Sequence, residues 1–135
     1  MALPFEFVID GPPISQQARR RERVRQWRDE VRRVAEQYWP AGELPATGPI
    51  MLSIAYFYEN ASMDIDNIPK PIADALKELV YLDDEQLTDV LCHKRNLTNS
   101  LRIENPSGAL GEGIDRGHEF LYIVVEEAPG QEVIS

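Results

Sequence analysis

Ile50-Met51-Leu52-Ser53-Ile54-Ala55-Tyr56-Phe57-Tyr58, followed five residues later by Asp64-Ile65-Asp66-Asn67-Ile68-Pro69-Lys70-Pro71-Ile72-Ala73-Asp74-Ala75-Leu76, is the stretch that decides the fold. In the first segment both alternating sets are apolar, Leu52, Ile54 and Tyr56 against Met51, Ala55 and Phe57, the pattern of a central strand buried on both faces. In the second, Ile68, Ile72, Leu76 and Leu79 fall on one side of a helix predicted over Ile68 to Val80. Pro69 and Pro71 sit in its first turn, where a missing N–H costs little.

Working outward, Phe5, Phe7 and Ile9 alternate along Phe5 to Asp10 as on a strand with one buried face, and Gly11-Pro12-Pro13 ends it. Val24, Trp27, Val31, Ala35 and Tyr38 then recur at helical spacing, predicting an amphipathic helix from about Ser15, a candidate cap, to Tyr38. Arg21, Arg25, Arg28 and Arg32 form a separate stripe on it. Pro40 to Pro49 reads as a loop. Asp89 to Leu97 and Phe120 to Glu126 read as a third and a fourth strand. Thr98 to His118, with Gly108, Gly111, Gly113 and Gly117, has no clear period and reads as a long loop. The order β-α-β-α-β-β predicts one α+β domain over residues 1–135, with a mixed sheet of about four strands and two helices.

A chain of 135 residues with 43% hydrophobic content buries enough surface to fold unaided. The single cysteine, Cys92, excludes an internal disulfide, and no Cys/His cluster spells a zinc site. The longest apolar run, Phe120 to Val125, falls far short of a membrane span. Met1-Ala2-Leu3-Pro4 lacks a basic region leading into an apolar stretch, so a cytosolic, reduced location is expected. The Asn60 and Asn96 triplets therefore carry no meaning as glycosylation acceptors.

The net charge of −9 is unevenly spread: eight of the 14 basic residues lie between Arg19 and Arg33, opposed by only Glu22, Asp29 and Glu30. Arg19, Arg20, Arg21, Arg23, Arg25 and Arg28 are candidate phosphate contacts, with Lys94 and Arg95 as secondary ones. A solvated helix face is the alternative. Trp27 reads as core, and Trp39 as core or a contact surface. Cys92 and His93 point to opposite faces of a strand and so cannot act as a nucleophilic pair.

Asp64 and Asp66 precede the second helix, and Asp83-Asp84-Glu85 follows it. On extended chain, residues i and i+2 point to the same side roughly 6 to 7 Å apart, so Asp64 and Asp66 can share one hard cation. Folding that brings the second acidic group alongside adds a third carboxylate, a set suited to Mg²⁺. The plainer reading is an exposed turn with acidic groups near a helix N-terminus. An EF-hand is excluded, because the sixth position from Asp64 is Pro69 and the twelfth is Ala75. Lys70, four residues from both Asp66 and Asp74, can be held by them with its ammonium facing a phosphate. Asn67 is a candidate helix cap.

The full string from Asp64 to Leu76, continued by Tyr81-Leu82-Asp83-Asp84-Glu85-Gln86, resembles the RusA family of Holliday-junction resolvases. That family's signature runs D-x-D-N-x-x-K, then D-A-L, then an aromatic, Leu and D-D-x-Q. Gly11-Pro12-Pro13-Ile14-Ser15 is similar to the family's Pro-Pro-x-Ser turn. The resemblance implies a homodimeric, Mg²⁺-dependent endonuclease that nicks paired strands of a four-way DNA junction in recombination or repair. By position it implies Asp64, Asp66 and Asp84 as the metal-site acids and Lys70 as the essential lysine, with Asp83 the alternative to Asp84. The rival expectation is a catalytically inactive RusA-like module whose acidic surface binds a basic protein partner or which binds nucleic acid. A metal-stabilised structural domain is a third.

Overall fold

The computed structural model describes residues 2–60, 63–99 and 101–134; Ala61 and Ser62 of the Asn60 triplet, Met1 of the N-terminus and Ser100 of the long loop lie outside them. Four strands form one sheet: β1 (Phe5–Asp10), β2 (Ile50–Tyr58), β3 (Leu87–Asn96) and β4 (Phe120–Glu127), in the order β1-β4-β2-β3. The β2–β3 pair is parallel, while β4 lies antiparallel to both β1 and β2, so the sheet is mixed as expected. A parallel neighbour cannot be reached by a tight turn. The crossover from β2 to β3 carries helix α2 (Pro69–Leu76), with the acidic segments at its two ends.

Helix α1 (Arg21–Tyr38) buries Val24, Trp27, Val31 and Ala35, and α2 buries Pro71, Ile72, Ala73, Ala75 and Leu76. Both lie on one face of the sheet against Phe5, Phe7, Ile9, Leu52, Ile54, Tyr56, Leu121, Ile123 and Val125. The helices run side by side in the same direction. Arg28 reaches Asp74 at 3.9 Å, and one turn further on Arg32 donates to the carbonyls of Ala75 at 3.4 Å and Lys77 at 2.8 Å. Arg32 thereby satisfies carbonyls that the end of α2 leaves without intrahelical partners. Trp39 closes the core edge-on against Phe5, with ring centroids 5.0 Å apart.

Three boundaries depart from the sequence expectation. Helix α1 begins at Arg21, not near Ser15: the Ser15 hydroxyl accepts the Gln17 N–H at 3.0 Å and forms a local turn ahead of the helix. Helix α2 stops at Leu76, four residues before Val80, because Glu78 adopts a left-handed conformation (φ 73°) that breaks the helical ladder. Asn67 is not the cap of α2, since the 3-10 turn Ile65–Asn67 occupies that place and Ile68 follows it.

The largest difference is a third helix, α3 (Gly108–Asp115), inside the segment read as a loop. Ser107 caps it by accepting the Leu110 N–H at 3.1 Å. Its small residues hid the pattern, because packing uses their lack of a side chain. A Cβ on Gly113 would sit 2.5 Å from the Phe120 ring, so only glycine lets α3 reach the second apolar cluster of Val8, Phe57 and Phe120. Gly113→Ala is therefore expected to destabilise the protein by about 1–3 kcal/mol through overpacking, read as a lowered melting temperature. Among the described residues, no helix is long and apolar enough to cross a membrane.

Candidate active site

Both acidic segments flank α2, and their local structures differ. Asp64 is extended (φ −61°, ψ 138°), but Ile65–Asn67 winds into the 3-10 turn, so Asp66 does not continue an extended chain. The expected same-side display of an extended i, i+2 pair is thus replaced by a pair straddling the start of a turn. The Gln16 N–H donates to the Asn67 carbonyl at 3.2 Å, which fixes the segment after Gly11-Pro12-Pro13 against this turn. Lys94 on β3 donates to the Met63 carbonyl at 3.1 Å and secures the approach to Asp64.

Beyond α2, the two neighbouring aspartates take different roles. Asp83 caps the 3-10 turn Asp84–Gln86: its side chain accepts the Gln86 N–H, and Gln86 Oε1 accepts the Asp83 N–H at 3.0 Å and the Leu82 N–H at 2.8 Å. Gln86 Nε2 donates to the carbonyls of Ala46 and Gly48 at 2.7 and 3.0 Å, pinning the turn to the loop before β2. Asp84 takes no part in the cap. Its carboxylate is exposed and lies 3.6 Å from the Lys77 ammonium.

Lys70 stands on the first turn of α2 and donates to Asp74 at 2.8 Å; among the described residues no bond joins it to Asp66. The Asp74 hydrogen bond raises the Lys70 pKa, with Asp74 and Asp84 adding attraction against the opposing field of Arg28. Lys70 is therefore held as an ammonium, a fixed positive charge and not a base. Tyr81 is buried, donates to the Ala73 carbonyl at 2.7 Å, and has its pKa pushed up to about 12, chiefly by burial, with the fields of Asp84 and Asp74 adding to it.

Within the described residues, no three His, Cys, Asp or Glu side chains gather into a metal-holding group. Among the described residues the three carboxylates are therefore not drawn together as a closed cage. Asp64 and Asp66 precede α2 in the chain and Asp84 follows it; Asp84 nevertheless lies close enough to Lys70, on the first turn of α2, for its field to raise the Lys70 pKa.

The arginines divide into two groups. Arg28 and Arg32 dock α1 on α2, whereas Arg19, Arg20, Arg21, Arg23 and Arg25 are exposed, and none of their side chains has a partner among the described residues. Because α1 and α2 run in the same direction with Arg28 beside Asp74, the start of α1 lies along the start of α2. Arg21 and Arg25 share the Arg28–Arg32 stripe that faces α2 and so lie toward the side that carries Asp64, Asp66 and Lys70, whereas Arg23 projects from the opposite flank of α1. Arg95 is also exposed, and its guanidinium donates to the neighbouring Lys94 carbonyl at 2.9 Å.

Residues 13–104, more than half of the chain, match the family model described as Endodeoxyribonuclease RusA. The chain belongs to the RusA family. No curated protein matches it. RusA membership makes this a Holliday-junction-resolving endodeoxyribonuclease at the level of the family, and the matched segment contains the arginine-rich start of α1 and both acidic groups. In this RusA chain, sequence reasoning missed the two residues that hold the site together, Arg32 and Gln86. Gln86 stood in the D-D-x-Q string, and only its four partners show why. A further cluster went unseen at the far end of β1, where Asp10 accepts from Arg116 and pairs with His118 at 2.7 and 2.8 Å. These bonds, His118 first, lower the Asp10 pKa.

Proposed function

We propose that this chain is a Mg²⁺-dependent endonuclease that nicks four-way DNA junctions in recombination or repair, as a homodimer acting in the cytoplasm. The observation that carries the reading is the placement of Arg21 and Arg25, on the stripe of α1 that faces α2, toward the end of α2 that carries Lys70 and the Asp64–Asp66 pair. Five arginines at the positive end of a helix, without a side-chain cap and with only Glu22 in the first turn, are an unfavourable arrangement alone. Phosphates laid along that end relieve it, and the local charge offsets the acidic remainder of the chain.

The acidic groups are hard oxygen donors, and all three candidate ligands are exposed. Mg²⁺ keeps several waters and is commonly held by one or two carboxylates together with substrate phosphate oxygens, not by an all-protein cage. Asp64, Asp66 and Asp84 would hold the metal, with Asp83 excluded from the set by its capping role. The bound ion supplies charge neutralisation and an activated water for phosphodiester hydrolysis. Lys70, kept charged by Asp74, opposes the negative charge that builds on the phosphoryl oxygens. Arg19, Arg20, Arg21, Arg23 and Arg25 hold the backbone of the DNA, and Lys94, on the face of β3 beside Asp64, extends the basic surface, whereas Arg95 points to the other face of the sheet.

The test uses labelled four-way junction and linear duplex with the purified protein, in Mg²⁺ or EDTA. The expected outcome is paired nicks in the junction with Mg²⁺, none with EDTA, and an uncut linear duplex. Binding of the junction without cleavage at any Mg²⁺ concentration would instead identify the catalytically inactive module.

A further inference from the structure

We propose that the outer edge of β3 is the surface on which two copies of this chain join, β3 pairing antiparallel with β3 of the second copy about a two-fold axis through Cys92. This deepens the homodimer reading above and rests on it, but the register comes from the strand itself. β3 ends the sheet and pairs only with β2, so every outward backbone N–H and C=O along its ten residues lacks a strand partner. Natural edge strands are usually blunted by proline, bulges, short length or charged side chains; β3 is ten residues long, and its charges, Asp89, Lys94 and Arg95, are of both signs, so they can pair across an antiparallel edge. β3 contains no proline, and its one register irregularity lies at its first residues, opposite Ile50 and Met51. Val90 and Leu91, on opposite faces, are each 48% exposed.

Charge fixes the alignment. Asp89 and Arg95 lie three residues before and after Cys92, so both point to the sheet face opposite α1 and α2. Neither forms an ion pair within the described residues: the Asp89 carboxylate takes the neighbouring Thr88 hydroxyl at 2.6 Å, and Arg95 reaches only the Lys94 carbonyl. In a two-fold antiparallel pair one residue faces itself, and positions equally far on either side face each other. Centred on Cys92, Asp89 of each copy lies opposite Arg95 of the other, which gives two cross-strand ion pairs. Centring on Leu91 sets Asp89 against His93, and centring on His93 sets it against Leu97.

The axis stands perpendicular to the sheet, so both helical layers fall on the same side of one eight-stranded sheet. Two acidic sites then face one way, the arrangement that a junction with two equivalent strands requires.

Sedimentation of the full chain, its D89R and R95D variants and the D89R/R95D double variant tests the register, with melting curves confirming that each is folded. Each single reversal is expected to weaken dimerisation at least tenfold, and the double variant to restore it. In the unmutated chain, the two Cys92 residues fall directly opposite at a Cα separation compatible with a disulfide. Copper–phenanthroline oxidation should therefore yield a covalent dimer that C92S does not form, a readout that holds even if a charge variant fails to fold. A dimer that ignores both reversals and does not cross-link through Cys92 would overturn the β3 edge and leave the homodimer reading standing. A chain that sediments as an active monomer would overturn both.

Discussion

The Asp66→Asn protein is expected to fold and melt as the parent does while its Mg²⁺-dependent junction cleavage falls by about 10²–10³-fold or more, the scale of loss when one preorganised electrostatic contributor is removed. Asp66 is exposed in the 3-10 turn and forms no hydrogen bond or ion pair among the described residues, so the fold asks nothing of its carboxylate. Loss of activity with the melting temperature unchanged therefore reports chemistry. Asp83→Asn supplies the opposite signature. Its side chain closes the capping box, so the amide should lower the melting temperature slightly and leave cleavage nearly intact. If Asp66→Asn cleaves normally, or if Asp83→Asn is the inactive one, the division of labour between the aspartates is wrong.

The sheet and the buried faces of α1 and α2 were legible because their periodicities are unambiguous. Ile50–Tyr58 is apolar on both alternating sets, and it does lie between two strands. Val24, Trp27, Val31 and Ala35 fall on one helical face, and all four are buried. What the sequence hid was set by contacts between distant residues or by groups too small to mark a period. Gly108–Asp115 carries three glycines and one large buried contact, Gly113 on Phe120, so no apolar stripe announced the helix. The end of α2 depended on the backbone at Glu78, a residue type that does not favour the left-handed region. The site was legible as a string of residues but not as an arrangement. Asp83 and Asp84 are chemically identical in sequence, and only the reciprocal hydrogen bonds with Gln86 separate a cap from a free carboxylate. The parallel course of α1 and α2, which turns Arg21 and Arg25 toward the end of α2 that carries Asp64 and Asp66, rests on Arg28 and Arg32 reaching residues more than 40 positions away.

Replacing Gln86 by Ala should cost about 1–2 kcal/mol and lower the melting temperature by roughly 3–8 °C. One carboxamide serves four backbone groups in two segments: the N–H groups of Leu82 and Asp83 on its oxygen, and the carbonyls of Ala46 and Gly48 on its nitrogen. Alanine removes all four bonds; water takes over at the three exposed ones, and the half-buried tie to the Ala46 carbonyl is the one whose loss costs most. The same bonds fix the turn that presents Asp84, so cleavage should fall together with stability, by less than in Asp66→Asn. Gln86→Glu separates the two effects. A carboxylate still accepts from Leu82 and Asp83 but cannot donate to Ala46 and Gly48, and it sets a negative charge against two carbonyl oxygens. The expected order of melting temperatures is therefore parent, then Gln86→Ala and Gln86→Glu close together well below it. A Gln86→Glu protein as stable as the parent would show that the tie to the Ala46–Gly48 loop is dispensable, and that the capping box alone positions Asp84.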